Sequence, residues 1–203
     1  TIVYGKVDFL QLIEKSDLKS SPLFGAVVSE ELTEIEKAVD IKQQLFFAVD
    51  GPLTKNLTPS RFAVFLAVND IESIEKYLKK AGYLVKESKS GLKFVEEMGI
   101  AIGFNQDVLI AFNDSQVDEL IPELEKTFAL VMSEKSPIND GYDLNGKEDL
   151  FIASNLEYLY GTSNTDLNKL PEVQQEKIRQ LTAGSFYRMS LTFDDGEIIF
   201  ANN

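Results

Sequence analysis

No cysteine and no histidine occur anywhere in the 203 residues, so this chain must be held together by its core and its hydrogen bonds alone. No disulfide can staple it, and no zinc site of the usual thiolate and imidazole kind can nucleate it. A chain of this length with 44% hydrophobic residues buries enough surface without either, as one large domain or two small ones. The same absences narrow the chemistry. Ser–His–Asp and Cys–His catalysis and haem held by those side chains are excluded. Carboxylates, lysines, hydroxyls and tyrosines remain.

Charge excludes more. With 20 basic against 33 acidic residues the formal charge is −13. A polyanion is repelled, no Lys/Arg cluster is dense enough to override the field, and adsorption to anionic lipid is disfavoured. Nucleic acid is therefore not an expected partner. No apolar run approaches the length that spans a bilayer. A thiol-free composition fits a reducing cytosol and a thiol-free envelope protein equally. The chain opens at Thr1 inside an apolar segment, so we expect a piece of a longer precursor, with any signal peptide or lipid-attachment cysteine upstream.

Patterning gives the elements. Thr1–Val7 reads as a strand, followed by Asp8 as a helix cap with Gln11 three residues on, a capping-box spacing. Phe9, Leu12 and Ile13 form the apolar face of that short helix. Ser21-Pro22 opens a second helix running through Leu32, Ile35 and Val39. Gln44–Val49 and Arg61–Val68 are β-type runs joined by a Gly51-Pro52 turn, the second apolar throughout as a central strand would be. Asn69 or Asp70 caps a helix to Ala81, closed by Gly82. Short strands follow at Tyr83–Lys86, Leu92–Glu96, Ile100–Phe104 and Val108–Phe112, with turns at Ser88–Gly91, Gly99 and Asn105–Asp107. Ser115 with Asp118 caps a helix to about Met132.

Ser133–Asp149, rich in Asn, Asp, Gly and Pro, is the natural boundary. Beyond it the pattern restarts. Leu150–Ser154 is a strand and Asn155 a cap. Leu156, Leu159 and Tyr160 repeat the spacing of Phe9, Leu12 and Ile13, and Ser163 matches Ser16. A helix near Glu172–Leu181 leads to runs at Phe186–Phe193 and Glu197–Asn202, joined by the hairpin signal Asp194-Asp195-Gly196. The expected fold is α+β: an antiparallel sheet with helices packed mainly on one face, in which a strand–helix–hairpin unit recurs. Residues 1–135 would form the first unit and 150–203 a smaller second one, with 136–149 linking them or the whole packing as one domain.

The opening Val3-Tyr4-Gly5-Lys6-Val7-Asp8-Phe9-Leu10-Gln11-Leu12-Ile13-Glu14-Lys15-Ser16 resembles that of a family of predicted lipoproteins of Bacteroides-type bacteria, catalogued as a domain of unknown function. The later phrases Phe46–Val49, Phe62–Val68 and Phe186–Asn202 resemble it in the same order. The resemblance implies an exported, lipid-anchored envelope protein, at the outer membrane and facing periplasm or surface, with the anchor outside this chain. It carries no catalytic residues.

Several near-motifs need weighing. Gly141–Lys147 has P-loop spacing, but Glu148 replaces the magnesium-binding hydroxyl, Asp143 stands where phosphate would sit, and a strand follows instead of a helix. Ser73-Ile74-Glu75-Lys76 and Lys89-Ser90-Gly91 mimic elements of penicillin-recognising enzymes. They are too close together and lack the Ser-x-Asn element between them, so a solvated helix face and a hairpin turn are the better reading. Asn164, Asp166 and Asn168, and more loosely Asp140, Asp143, Asn145 and Asp149, alternate like calcium ligands. Lys169 occupies the glycine position and Gln175 the final glutamate position. Neither nucleotide nor calcium is expected to bind.

Glu96-Glu97 and Asp194-Asp195 are adjacent acids, and adjacent strand residues point to opposite faces. Tyr158, Tyr160, Phe186 and Tyr187 could stack on sugar. No residue is assigned a catalytic, cofactor or metal role, and no cofactor is implied. The reading is a non-enzymatic envelope binding or structural module, its partner an envelope protein or a glycan. The alternative is a histidine-free glycan hydrolase working through Asp and Glu.

Overall fold

The computed structural model describes residues 3–15, 25–53, 59–114, 118–132, 148–157, 169–194 and 197–202. Its strands are β1 (Val3–Val7), β2 (Leu45–Leu53), β3 (Pro59–Ala67), β4 (Lys86–Glu87), β5 (Lys93–Glu97), β6 (Ile100–Phe104), β7 (Val108–Asp114), β8 (Leu150–Asn155), β9 (Phe186–Asp194) and β10 (Glu197–Asn202). Its helices are α1 (Phe9–Lys15), α2 (Gly25–Ala38), α3 (Ile71–Lys80), α4 (Leu120–Val131) and α5 (Glu172–Thr182). All strands join one antiparallel sheet of ten, ordered β10-β9-β8-β1-β2-β3-β7-β6-β5-β4. The α+β class with an antiparallel sheet is as the sequence predicts.

Alternation along the strands sorts the core into two faces. Ala63 and Phe65 of β3, Ile110 and Phe112 of β7, Ala101 of β6 and Phe94 of β5 meet Leu120, Leu124 and Phe128 of α4. The intervening residues point the other way. Leu109, Ile102, Phe104 and Val95 pack with Ala38, Ile74 and Leu78 of α2 and α3. Leu66 and Leu109 pack with Phe9, Leu10 and Ile13 of α1 and with Leu32 and Ile35 of α2. Three helices therefore share one face, and α4 covers the other.

The pairing of β1 with β8 is symmetric about Gly5 and Ile152. Under the offset that sets Leu156 on Phe9, Val3 matches Leu150, Gly5 matches Ile152 and Val7 matches Ser154. β1 and β8 lie side by side with Val3 opposite Ser154, Gly5 opposite Ile152 and Val7 opposite Leu150. Each residue thus faces the counterpart of its mirror position, which is a local two-fold axis through Gly5 and Ile152. On one side β1 leads through α1 and α2 to the hairpin β2–β3. On the other, β8 leads through a helical turn opening at Leu156 and through α5 to the hairpin β9–β10.

Charged groups are buried at this joint. Asp149 is fully buried. It receives Lys15 Nζ of α1 at 2.8 and 3.0 Å and the Phe193 N–H of β9 at 2.6 Å. Its backbone N–H donates to Leu191 O, and its carbonyl accepts from Asp8 N–H at 2.8 Å. On β1, Lys6 is fully buried, with Nζ 3.6 Å from Glu148 Oε2.

Four local expectations are refined. Asp8 does cap α1, accepting from Gln11 N–H, but the Gln11 side chain donates to the Asp8 carboxylate. The reciprocal bond of a capping box is foreclosed because Asp8 N–H already serves Asp149 O. Gly51-Pro52 is not a turn. Asp50 pairs with Arg61 and Leu53 with Pro59, so the two residues bulge within β2, where proline's missing donor is tolerated. Helix α4 begins at Leu120, not near Ser115, which places Pro122 in its first turn. Of the expected Tyr83–Lys86 strand only Lys86 joins the sheet, with Glu87 beyond it. The cap expected at Asn155 serves residues that lie largely outside those described.

Two predictions follow from the joint. A Cβ at Gly5 would stand 2.3 Å from Phe151 O and 2.4 Å from the Phe47 ring, and the first of these is backbone. Gly5→Ala should cost about 2–3 kcal/mol, read as an earlier urea midpoint with an unchanged slope. Asp149→Ala removes a buried carboxylate that joins α1 to β9. We expect a loss of about 3 kcal/mol in the same measurement, with no loss if the latch is ornamental.

Candidate functional site

The candidate site begins with a turn. β5 and β6 pair from Lys93↔Phe104 to Glu97↔Ile100, leaving Met98 and Gly99 as a two-residue turn. Both carry positive φ, 51° and 78°, as the tight hairpin turn that matches strand twist requires. Glycine adopts that conformation freely and asparagine tolerates it; methionine has no such licence. Met98 is nevertheless held there, 93% exposed. Asn113 of β7 steadies the turn by donating its side-chain N–H to Gly99 O.

Beside the turn lies a recess of about 200 Å³ lined by Tyr83, Val95, Glu97, Met98, Ile100 and Ile102. Its floor is the pairs Val95↔Ile102 and Glu97↔Ile100, which share the face covered further along by α2 and α3. Its wall comes from the end of α3. Gly82 N–H bonds Lys79 O and Tyr83 N–H bonds Leu78 O, a Schellman closure that turns the chain back across the sheet. Tyr83 then reaches the recess, and Leu84 beside it is 73% exposed. Glu97 is the single acid among apolar walls, and Lys93 on the same strand is taken up by Glu75.

The ionisable groups elsewhere serve the fold. Glu75 is held below the ordinary carboxylate range by its bonds to Lys93 and Lys79, and Lys93 is raised in turn by Glu75. Lys37 lowers Glu34, and the Ser88 and Ser90 hydroxyls lower Glu125, which fastens the β4–β5 turn to α4. The Ser73 hydroxyl lowers Asp70, the cap of α3. Arg61 Nε donates at 2.7 Å to the buried Asp114, and its guanidinium lies 3.9 Å from Glu123 of α4.

The motif residues separate accordingly. Ser73 bonds Asp70, Lys76 is exposed, and Ser90 sits in a turn bonded to Glu125. They are a helix cap and a hairpin. Glu96 pairs with Ala101 on the face of α4, and Glu97 with Ile100 on the opposite face. The Asp149 carboxylate is spent on Lys15 and Phe193. Tyr187 is partly exposed, its neighbour Phe186 half-buried. Asp140, Asp143, Asn145, Tyr158, Tyr160, Asn164, Asp166, Asn168, Asp195 and the stretch 141–147 lie outside the described residues. Among the described residues no group of acids is placed to hold a metal ion, and no helix is long and apolar enough to cross a membrane. The residue that sequence reasoning passed over is Met98. Its signal was a Met-Gly pair where a tight hairpin favours Asn-Gly.

Solved structures with this fold include those of TP0453. Its crystal form III matches with a TM-score of 0.56 at 10% identity, over 98% of this chain and 73% of that one. Form IV gives 0.53 at 9% identity over 98% and 74%. Form I gives 0.50 at 9% over 98% and 72%. At such identity the likeness concerns the fold alone. No protein-family model matches the sequence, and no curated protein does.

Proposed function

We propose that this chain is a non-enzymatic binding module of the bacterial cell envelope, part of an exported and lipid-anchored protein, whose recess receives one apolar side chain of a protein partner. Met98 carries the reading. A bulky apolar residue in a left-handed turn costs about 1 kcal/mol or more, and at 93% exposure it recovers nothing from packing. Strain of this kind is retained where the surface is used. The volume sets the scale of the guest. An apolar cavity of roughly 150 Å³ accepts benzene, so about 200 Å³ suits one aromatic or branched aliphatic side chain, the usual anchor of an interface.

Sugar is the poorer guest, because it needs several polar groups and the lining side chains offer only the Glu97 carboxylate and the Tyr83 hydroxyl. The envelope assignment rests on the family resemblance of β1 and α1 and of the strand phrases after them. The hydrolase alternative needs a carboxyl held protonated, whereas among the described residues every acid with a distinct shift moves downward through a cation or hydroxyl. That direction supports a non-catalytic role.

Titration with phenethylamine should give saturable shifts at the methyl groups of Met98, Ile100 and Ile102. Phenylacetate should give weaker ones, because Glu97 repels it. Silence with both probes would remove the site. Met98→Asn should leave the urea midpoint equal or higher by the equivalent of about 1 kcal/mol while weakening the amine response. A less stable variant would mean that Met98 packs. Esterase, peptidase, phosphatase and glycosidase substrates should give background rates. Activity abolished by substituting one acid in an intact fold would restore the hydrolase.

A further inference from the structure

The recess holds one charge that the fold leaves unanswered. Lys93, Val95 and Glu97 alternate along one face of β5, yet the cation on that face is already committed. Lys93 is bound by Glu75, which also holds Lys79 at 3.2 Å. Among the described residues no donor or cation is set against the Glu97 carboxylate. An exposed acid is ordinarily just solvated, but this one lines the same recess as Val95, Met98, Ile100 and Ile102. An apolar guest seated there displaces part of its water, and a cation carried by that guest compensates the loss.

The class of partner depends on where that cation sits. A lysine or arginine head inside the recess would lie against four apolar side chains, with a single carboxylate to answer it. A lysine beside the apolar anchor would have to be held in one rotamer. That entropy cancels most of what an exposed ion pair returns. An α-ammonium escapes both costs. It is fixed to the Cα of the anchor residue, so seating the side chain also places the charge at the mouth, in contact with water. A chain's other terminus, a carboxylate, would meet Glu97 as a like charge.

We infer that the recess receives a chain terminus: the N-terminal residue of the partner fills it with an aromatic or branched aliphatic side chain and pairs its free α-ammonium with Glu97. The inference rests on the reading of the recess as an anchor site for one apolar side chain. Tyr83 and Glu97 are the ionisable groups of the lining. The Tyr83 ring is a further attraction for an ammonium at the rim.

Three peptides separate the cases, read by titration at the methyl groups of Met98, Ile100 and Ile102. They are phenylalanyl-alanine amide, its N-acetyl form, and N-acetyl-phenylalanyl-lysine amide, which restores the charge on the neighbouring residue. At low salt the free amine should bind up to about fivefold more tightly than both acetylated peptides, the range of an exposed ion pair. Glu97→Gln should bring the free amine down to the acetylated level while leaving the acetylated peptides unchanged, which also reports that the recess is intact. The pH profile is a second, variant-free test. An α-amine titrates near 8 and lysine near 10.4, and pairing with Glu97 raises the amine's value in the complex. The advantage is therefore full at pH 7 and should vanish above about pH 9, whereas a lysine contact would persist. Equal binding of free and acetylated peptides would overturn the inference and leave the anchor site standing. So would an acetylated lysine peptide that matches the free amine, an advantage that survives Glu97→Gln or pH 9.5, or a response to phenethylamine without one to the free peptide. Silence with every probe would remove the anchor site as well.

Discussion

Everything in this fold hangs on β1, which lies inside the sheet between β8 and β2. It must be paired on both sides, by β2 from nearby and by β8 from the far part of the sequence. Register there decides the fate of both halves, since a slip of one residue turns every side chain to the wrong face. The buried charges answer that problem. Lys6 meets Glu148 only from one face of β1, and Asp149 meets Lys15 and the Phe193 N–H only if β8 and β9 are aligned. A slip strands an ion in the core, which is far costlier than a lost apolar contact. The pairing also spans a long stretch of chain, so its closure entropy is settled late in folding.

Much of this was legible in the sequence, for reasons that differ by element. Hairpins such as β9–β10 and caps such as Asp8 and Asp70 depend on neighbouring residues, and local chemistry specifies them. The restart of the pattern at Leu150 marked β8 as a strand, but only the long-range pairing sets it beside β1. Sheet order was not legible. That β7 lies against β3, ahead of its sequence neighbours β4 to β6, is decided by which long-range pairing buries Ile110 and Phe112 under α4. Gly51-Pro52 misled because a proline bulge and a turn share their composition, and only the partner strand tells them apart.

The candidate site was hidden for a different reason. Tyr83, Val95, Met98 and Ile102 come from a helix terminus, two strands and a turn, and nothing in linear spacing assembles them. What the sequence did offer was a broken rule, methionine before glycine at the tip of a hairpin. The Schellman closure after α3 and the Asn105 turn follow their chemistry. Against that background one residue that ignores its local preference, with no packing to compensate, is informative.

The acidic charge also bears on the proposed recess. A field of this size discourages association by default, so any interface must either attract a cation or keep its acids apart. The recess takes the first course: Glu97 stands at its lining, and the nearest strand lysine is occupied by Glu75. Net charge here acts as a filter on partners, while the apolar elements supply the contact.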